Sequence, residues 1–76
     1  MNLEHVATVI TALDAGAHYV VGEADQHWCL AEREGTWRIY FLDRGTPSGA
    51  REFPSLDDAC RAFLMRVVQD PDVAAR

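Results

Sequence analysis

Residues 28–44, WCLAEREGTWRIYFLDR, constrain this chain more than any other stretch, because they read as a β-hairpin whose register follows from the side chains. Bulky apolar residues alternate with polar ones on both sides of Glu34-Gly35, and a period of two marks a half-buried strand. With a loop of two residues at Glu34-Gly35, or of four with the same centre, Arg33 faces Thr36, Leu30 faces Ile39 and Trp28 faces Phe41. A three-residue loop would set Leu30 against Arg38 and scatter the apolar set. A one-residue slip inverts every side chain, so the two-residue register is the one expected. Strands then fall at 26–33 and 36–43, preceded by a strand at 17–23 that turns at Ala24-Asp25. As a hairpin, that first pair sets Val21 against Trp28 and Tyr19 against Leu30. Tyr19, Val21, Trp28, Leu30, Trp37, Ile39 and Phe41 thereby share one face. His18, Val20, His27, Cys29, Ala31, Arg38, Tyr40 and Leu42 occupy the other.

Helices flank the strands. Over 2–14, Leu3, Val6, Ile10 and Leu13 form one stripe, with Asn2 as N-cap and Gly16 as the stop. Residues 44–50, RGTPSGA, have loop composition, and 51–53 add a short fourth edge strand. Ser55 with Asp58 three positions on resembles a capping box and opens a second helix running to about residue 68. Its buried stripe is Leu56, Cys60, Phe63, Leu64 and Val67. The tail 70–76 contains Pro71, lacks periodicity and is expected to be flexible, leaving one domain over 1–69. The fold expected is α+β: an α-β-β-β-(β)-α two-layer sandwich. Its antiparallel sheet has three or four strands, with both helices on the apolar face and the other face open to solvent or a partner.

Seventy-six residues can hold one core, burying roughly 60% of the unfolded surface for a stability of a few kcal/mol. A formal charge of −5 repels nucleic acid and anionic membranes and favours a basic partner. No stretch has the length or apolarity of a signal peptide or a membrane span, and Cys29 and Cys60 lack C-x-x-C spacing. Two free thiols in a reducing cytoplasm are expected.

No constellation carries chemistry. His18, His27 and Cys29 share a face and could begin a zinc site, but a fourth ligand is missing. Cys29 has His27 two residues away and no oxyanion donors, while Cys60 lies in a helix core stripe where inert thiols are common. The acidic residues Glu23, Asp25, Glu32, Glu34, Asp43, Glu52, Asp57 and Asp58 sit at turns, edges and a helix start. There they keep edges soluble, complement the helix dipole, or form an electrostatic docking surface. Gly45-Thr-Pro-Ser-Gly49 lacks the lysine and following helix of a phosphate loop.

The order α-β-β-β-α is similar to that of the double-stranded-RNA-binding domain, whose second helix opens with phosphate-contacting lysines. Here that segment is Ser55-Leu-Asp-Asp-Ala59, and anions in place of cations reverse the dominant binding term. A shared topology without RNA binding is expected. The runs Glu34-Gly-Thr-Trp-Arg-Ile-Tyr-Phe-Leu-Asp-Arg-Gly45 and Phe53-Pro-Ser-Leu-Asp-Asp-Ala-Cys-Arg-Ala-Phe-Leu64 resemble small bacterial α+β domains, some of them immunity proteins found beside secreted toxins. That resemblance implies a protein that binds and neutralises a toxin, and carries over no residue roles.

The expectation is therefore a small acidic cytoplasmic interaction module with no enzymatic activity, cofactor or metal. Its partner would be a protein such as a basic toxin domain, not nucleic acid or membrane, bound by the chain as monomer or homodimer. The expected contacts are the acidic rim Glu32, Glu34 and Asp43 with Arg38 and Tyr40 of the outer face. The alternative is an accessory or regulatory subunit, or a homodimeric module, that binds a housekeeping enzyme.

Overall fold

In the computed structural model, which describes residues 1–74, the Asn2 side chain accepts the N–H of His5 and opens helix α1 (Leu3–Ala12). The helix ends without glycine. Asp14, at φ 54°, takes the left-handed position, and its N–H bonds Thr11 O while Ala15 N–H bonds Ile10 O. This pair of bonds is a Schellman motif, so Asp14 and not Gly16 is the stop. Ala15 is buried just beyond it.

Three strands follow: β1 (Tyr19–Val21), β2 (His27–Arg33) and β3 (Thr36–Asp43). The β2–β3 register is the expected one, with Trp28 opposite Phe41, Leu30 opposite Ile39 and Arg33 opposite Thr36. Glu34 and Gly35 both have positive φ, 54° and 79°, which is the type I′ turn that matches the twist of a two-residue hairpin.

β1 departs from the hairpin reading. It pairs with β2 in parallel, Tyr19 opposite Trp28 and Val21 opposite Leu30, so the sheet is mixed and not wholly antiparallel. Parallel neighbours ordinarily need a crossover of a dozen or more residues. Five suffice here because β1 is only three residues long and the chain breaks at Gly22 (φ 110°) to double back over the sheet. A two-residue turn at Ala24-Asp25 would have required positive φ at an alanine, a costly conformation. The facial assignment survives the change of direction. Tyr19 moves from opposite Leu30 to opposite Trp28, a shift of two residues, and parity is unchanged.

Most of the segment expected as loop joins the expected edge residues 51–53 in one strand, β4 (Thr46–Phe53), antiparallel to β3 and exposed along almost its whole length. Arg44 and Gly45, at φ 52° and 80°, repeat the turn made by Glu34-Gly35. Pro47 is tolerated because β4 is an edge strand. The register shifts between Ile39 and Phe41, so Gly49 and Ala50 together oppose Tyr40. Gly49, at φ 64°, supplies the left-handed residue of this bulge.

Ser55 Oγ accepts the Asp58 N–H at 3.1 Å and opens α2 (Leu56–Gln69). The tail, expected to fray, instead forms a short helix, α3 (Pro71–Ala74), with Val73 buried; residues 75–76 lie outside the described residues. Both helices pack on one sheet face, burying Val6, Ile10, Cys60, Phe63 and Val67 against Tyr19, Leu30 and Ile39. Trp28 and Trp37 flank the same core. Phe63 meets Tyr19 edge-on at 5.8 Å and 79°. The result is an α+β two-layer fold, with four strands in the order β1-β2-β3-β4. The fourth strand and the parallel first pair depart from the α-β-β-β-α order of the double-stranded-RNA-binding domain.

Candidate functional site

The face opposite the helices carries the candidate site, but it is not open as expected. Residues 22–26 cross it as a strap held by side-chain bonds. Tyr40 Oη donates to Glu23 Oε2 at 2.5 Å, and Gln26 Nε2 donates to Asp43 Oδ1 at 2.6 Å. The Gly45 N–H donates to Asp25 Oδ1 at 3.1 Å, and Cys29 Sγ to Ala24 O at 3.5 Å. Beneath the strap Cys29, Tyr40 and Leu42 form a second small core, flanked by Val20 and Ala31. This explains a sheet face that alternates properly yet is not strongly polar.

Beside the strap lies a groove of about 280 Å³. Glu23 forms one wall, Ala31 to Arg33 and the pair Arg38 and Tyr40 the floor and rim, and Pro47 and Ala50 of β4 the far side. Arg38 donates through Nη2 to Glu52 Oε1 at 2.9 Å across the β3–β4 register, while its Nε is buried without a partner among the described residues. Of the five residues expected at a partner interface, Glu32, Arg38 and Tyr40 line this groove. Glu34 sits away from it, in the β2–β3 turn, and Asp43 lies at the other end of β3, bonded to Gln26. Sequence reasoning missed Glu23, Ala31, Arg33, Pro47 and Ala50 as lining residues. Alternation with Cys29 and Ala31 could have placed Arg33; nothing in the sequence signals that Glu23 returns over the sheet.

Burial first, then the hydrogen bond and charge of Glu23, push the Tyr40 phenol well above its ordinary range. Burial likewise raises the Cys29 and Cys60 thiols, keeping both protonated. The Cys29 Sγ sits against the carbonyls of Ala24 and His27, with no imidazole at hydrogen-bond distance. The His27 ring nitrogens both lie against backbone carbonyls, Nδ1 2.7 Å from Asp25 O and Nε2 3.2 Å from Gly16 O, and the tautomer sets which of them donates. Among the described residues no three His, Cys, Asp or Glu side chains converge as metal ligands would. Asp57 accepts from the N-terminal ammonium at 3.0 Å and from Arg61 Nε at 2.8 Å, which hold its carboxyl below the usual range. Gly45 and Gly49 serve a turn and a bulge, not a phosphate cradle. Among the described residues no helix is long and apolar enough to cross a membrane.

The class defined by this geometry is a small α+β domain with a groove of mixed lining on its strapped sheet face. Comparison with known proteins finds no match to a family model, a curated protein or a solved structure.

Proposed function

We propose that this chain is a protein-interaction module that docks a basic partner through the groove and acidic rim of its strapped face. The favoured form is an immunity protein that binds a bacterial toxin domain in the cytoplasm and occludes it, without catalysing a reaction. One observation carries the reading. Glu32 and Glu34, at the same end of the sheet, make no ion pair among the described residues, in a chain of charge −5. Charges left free at a rim steer encounter with an oppositely charged surface, and a partly desolvated floor such as Tyr40 and Arg38 supplies the anchors. The alternative of a homodimer joined through the edge strand has less support. Pro47 and the bulge at Gly49-Ala50 interrupt the ladder that edge-to-edge pairing would need.

The test is capture of partners from the native organism by the immobilised chain and by a Glu32→Lys/Glu34→Lys variant, with identification by mass spectrometry. The expected result is a basic protein retained by the parent and lost from the variant. If that protein is toxic when expressed alone, co-expression of the chain should restore growth. Retention unaffected by charge reversal would overturn the docking surface. A captured metabolic enzyme would replace the toxin reading with that of an accessory subunit.

A further inference from the structure

The opposite side of the molecule carries a second cleft, independent of the reading above, where α2 leaves one end of the sheet. It encloses about 610 Å³, is open to solvent, and is lined by Trp28 and Tyr19 of the sheet, Arg51 of β4, and Met65, Arg66 and Gln69 of α2. The register with Ile39 places Arg51 on the helix-covered face, an unusual position for a cation in so small a sheet. The Arg66 guanidinium lies 3.7 Å above the centre of the Trp28 ring, and Trp28 is itself braced edge-on by Phe41 at 5.5 Å. A guanidinium held over an indole makes a cation–π contact that consumes none of its N–H groups, so the ring positions the donor fork before any ligand arrives. Arg51 is placed less tightly, 5.6 Å from the Phe53 ring.

Neither arginine has an anionic partner among the described residues, whereas Arg38 and Arg61 are both paired. The carboxylate lining the cleft is Asp70, and it is engaged elsewhere. Its Oδ2 accepts from Tyr19 Oη at 2.5 Å and its Oδ1 from the Asp72 N–H at 2.9 Å. Met65 and Val68 on α2, 54% and 52% exposed, are two of the three large exposed apolar side chains among the described residues. Met65 lies in the cleft wall and Val68 on the same helix.

We propose that this cleft binds an acidic–apolar peptide segment of a protein partner, with one carboxylate held between Arg66 and Arg51 and a neighbouring apolar side chain against Met65. A carboxylate matches the planar guanidinium fork bidentately. A polyanion fits less well, because the chain's charge of −5 repels nucleic acid at long range while a single carboxylate meets the local cations.

The test is a heteronuclear NMR titration of the whole chain with a short capped peptide carrying one glutamate beside a leucine. The same peptide with glutamine, inorganic phosphate and a single-stranded oligonucleotide serve as comparisons. The glutamate peptide should move the Arg66 and Arg51 Nε–H and Trp28 indole signals saturably, with a Kd of about 1 mM or tighter. Arg66→Lys, which keeps the charge and loses the fork, should weaken binding about tenfold, and Arg51→Met similarly. Arg33→Met, in the other groove, should leave it unchanged. Amide dispersion checks that each variant folds, and Arg51→Met alone decides the matter if Arg66→Lys does not. Equal binding of the glutamine peptide, equal shifts with phosphate or oligonucleotide, or insensitivity to both cleft variants would overturn the proposal.

Discussion

Replacing Tyr40 by phenylalanine should loosen the strap without emptying the core beneath it. The ring is retained, so only the 2.5 Å bond to Glu23 is lost. A hydrogen bond to a charged group contributes about 1.5–3 kcal/mol, and an exposed carboxylate such as Glu23 brings this down to about 1 kcal/mol. At 1.4 kcal/mol per decade, strap opening then becomes about fivefold more frequent. The assay is alkylation of the two buried thiols, followed peptide by peptide in a mass spectrometer. Cys29 lies under the strap and Cys60 in the main core. In the parent, Cys29 should react faster than Cys60 and with a weaker urea dependence, because local opening exposes little surface. Tyr40→Phe should accelerate Cys29 about fivefold. An unchanged Cys29 rate would refute the bond's role. Equal rates and urea dependence for both thiols in the parent would refute a strap that opens independently of the domain.

Four further outcomes follow from the same packing. Both tyrosines of the chain, Tyr19 and Tyr40, have phenols raised well above their ordinary value of about 10, chiefly by burial. Stability from the neutral phenols is full below that pH and lost as pH rises through the higher folded values. Phenolate absorbance should therefore appear together with loss of circular dichroism and not as a separate step near pH 10. The Tyr19 hydroxyl, with the Asp72 N–H, holds the Asp70 carboxyl below the usual range, so that contribution is present above about pH 4 and lost as pH falls through the folded value. Tyr19→Phe should flatten the acid limb of the stability profile, and an unaltered limb would contradict the assignment. At Gly45, φ +80° with open space where a Cβ would project, alanine should cost about 1 kcal/mol by strain alone, read as a lower urea midpoint at constant slope. Phe63→Ala removes a fully buried ring at a cost of about 3–5 kcal/mol, comparable to the stability of so small a domain. It should abolish the cooperative transition, and a parent-like melt would mean that the core lies elsewhere.

Side-chain parity determined more of this protein than any local propensity. Alternation in residues 28–44 specified the β2–β3 register and the face of every bulky residue in it. Cap chemistry at Asn2 and Ser55 set where the two long helices begin. These features are local, since a period of two or a capping oxygen acts over a few residues and leaves its mark in the sequence. The direction of β1 was not legible, because Tyr19 lies on the same face whether it opposes Leu30 or Trp28. β4 was obscured by Pro47 and Gly49, residues that count against a strand in isolation but are tolerated at an edge with a bulge. Its one local signal was the Arg44-Gly45-Thr46 echo of Glu34-Gly35-Thr36. The strap, the buried site of Cys29 beneath it and the placing of Arg51 and Arg66 in one cleft depend on packing between residues distant in the chain. Only tertiary packing brings those together, so both the candidate groove and the arginine cleft became visible in three dimensions and not before.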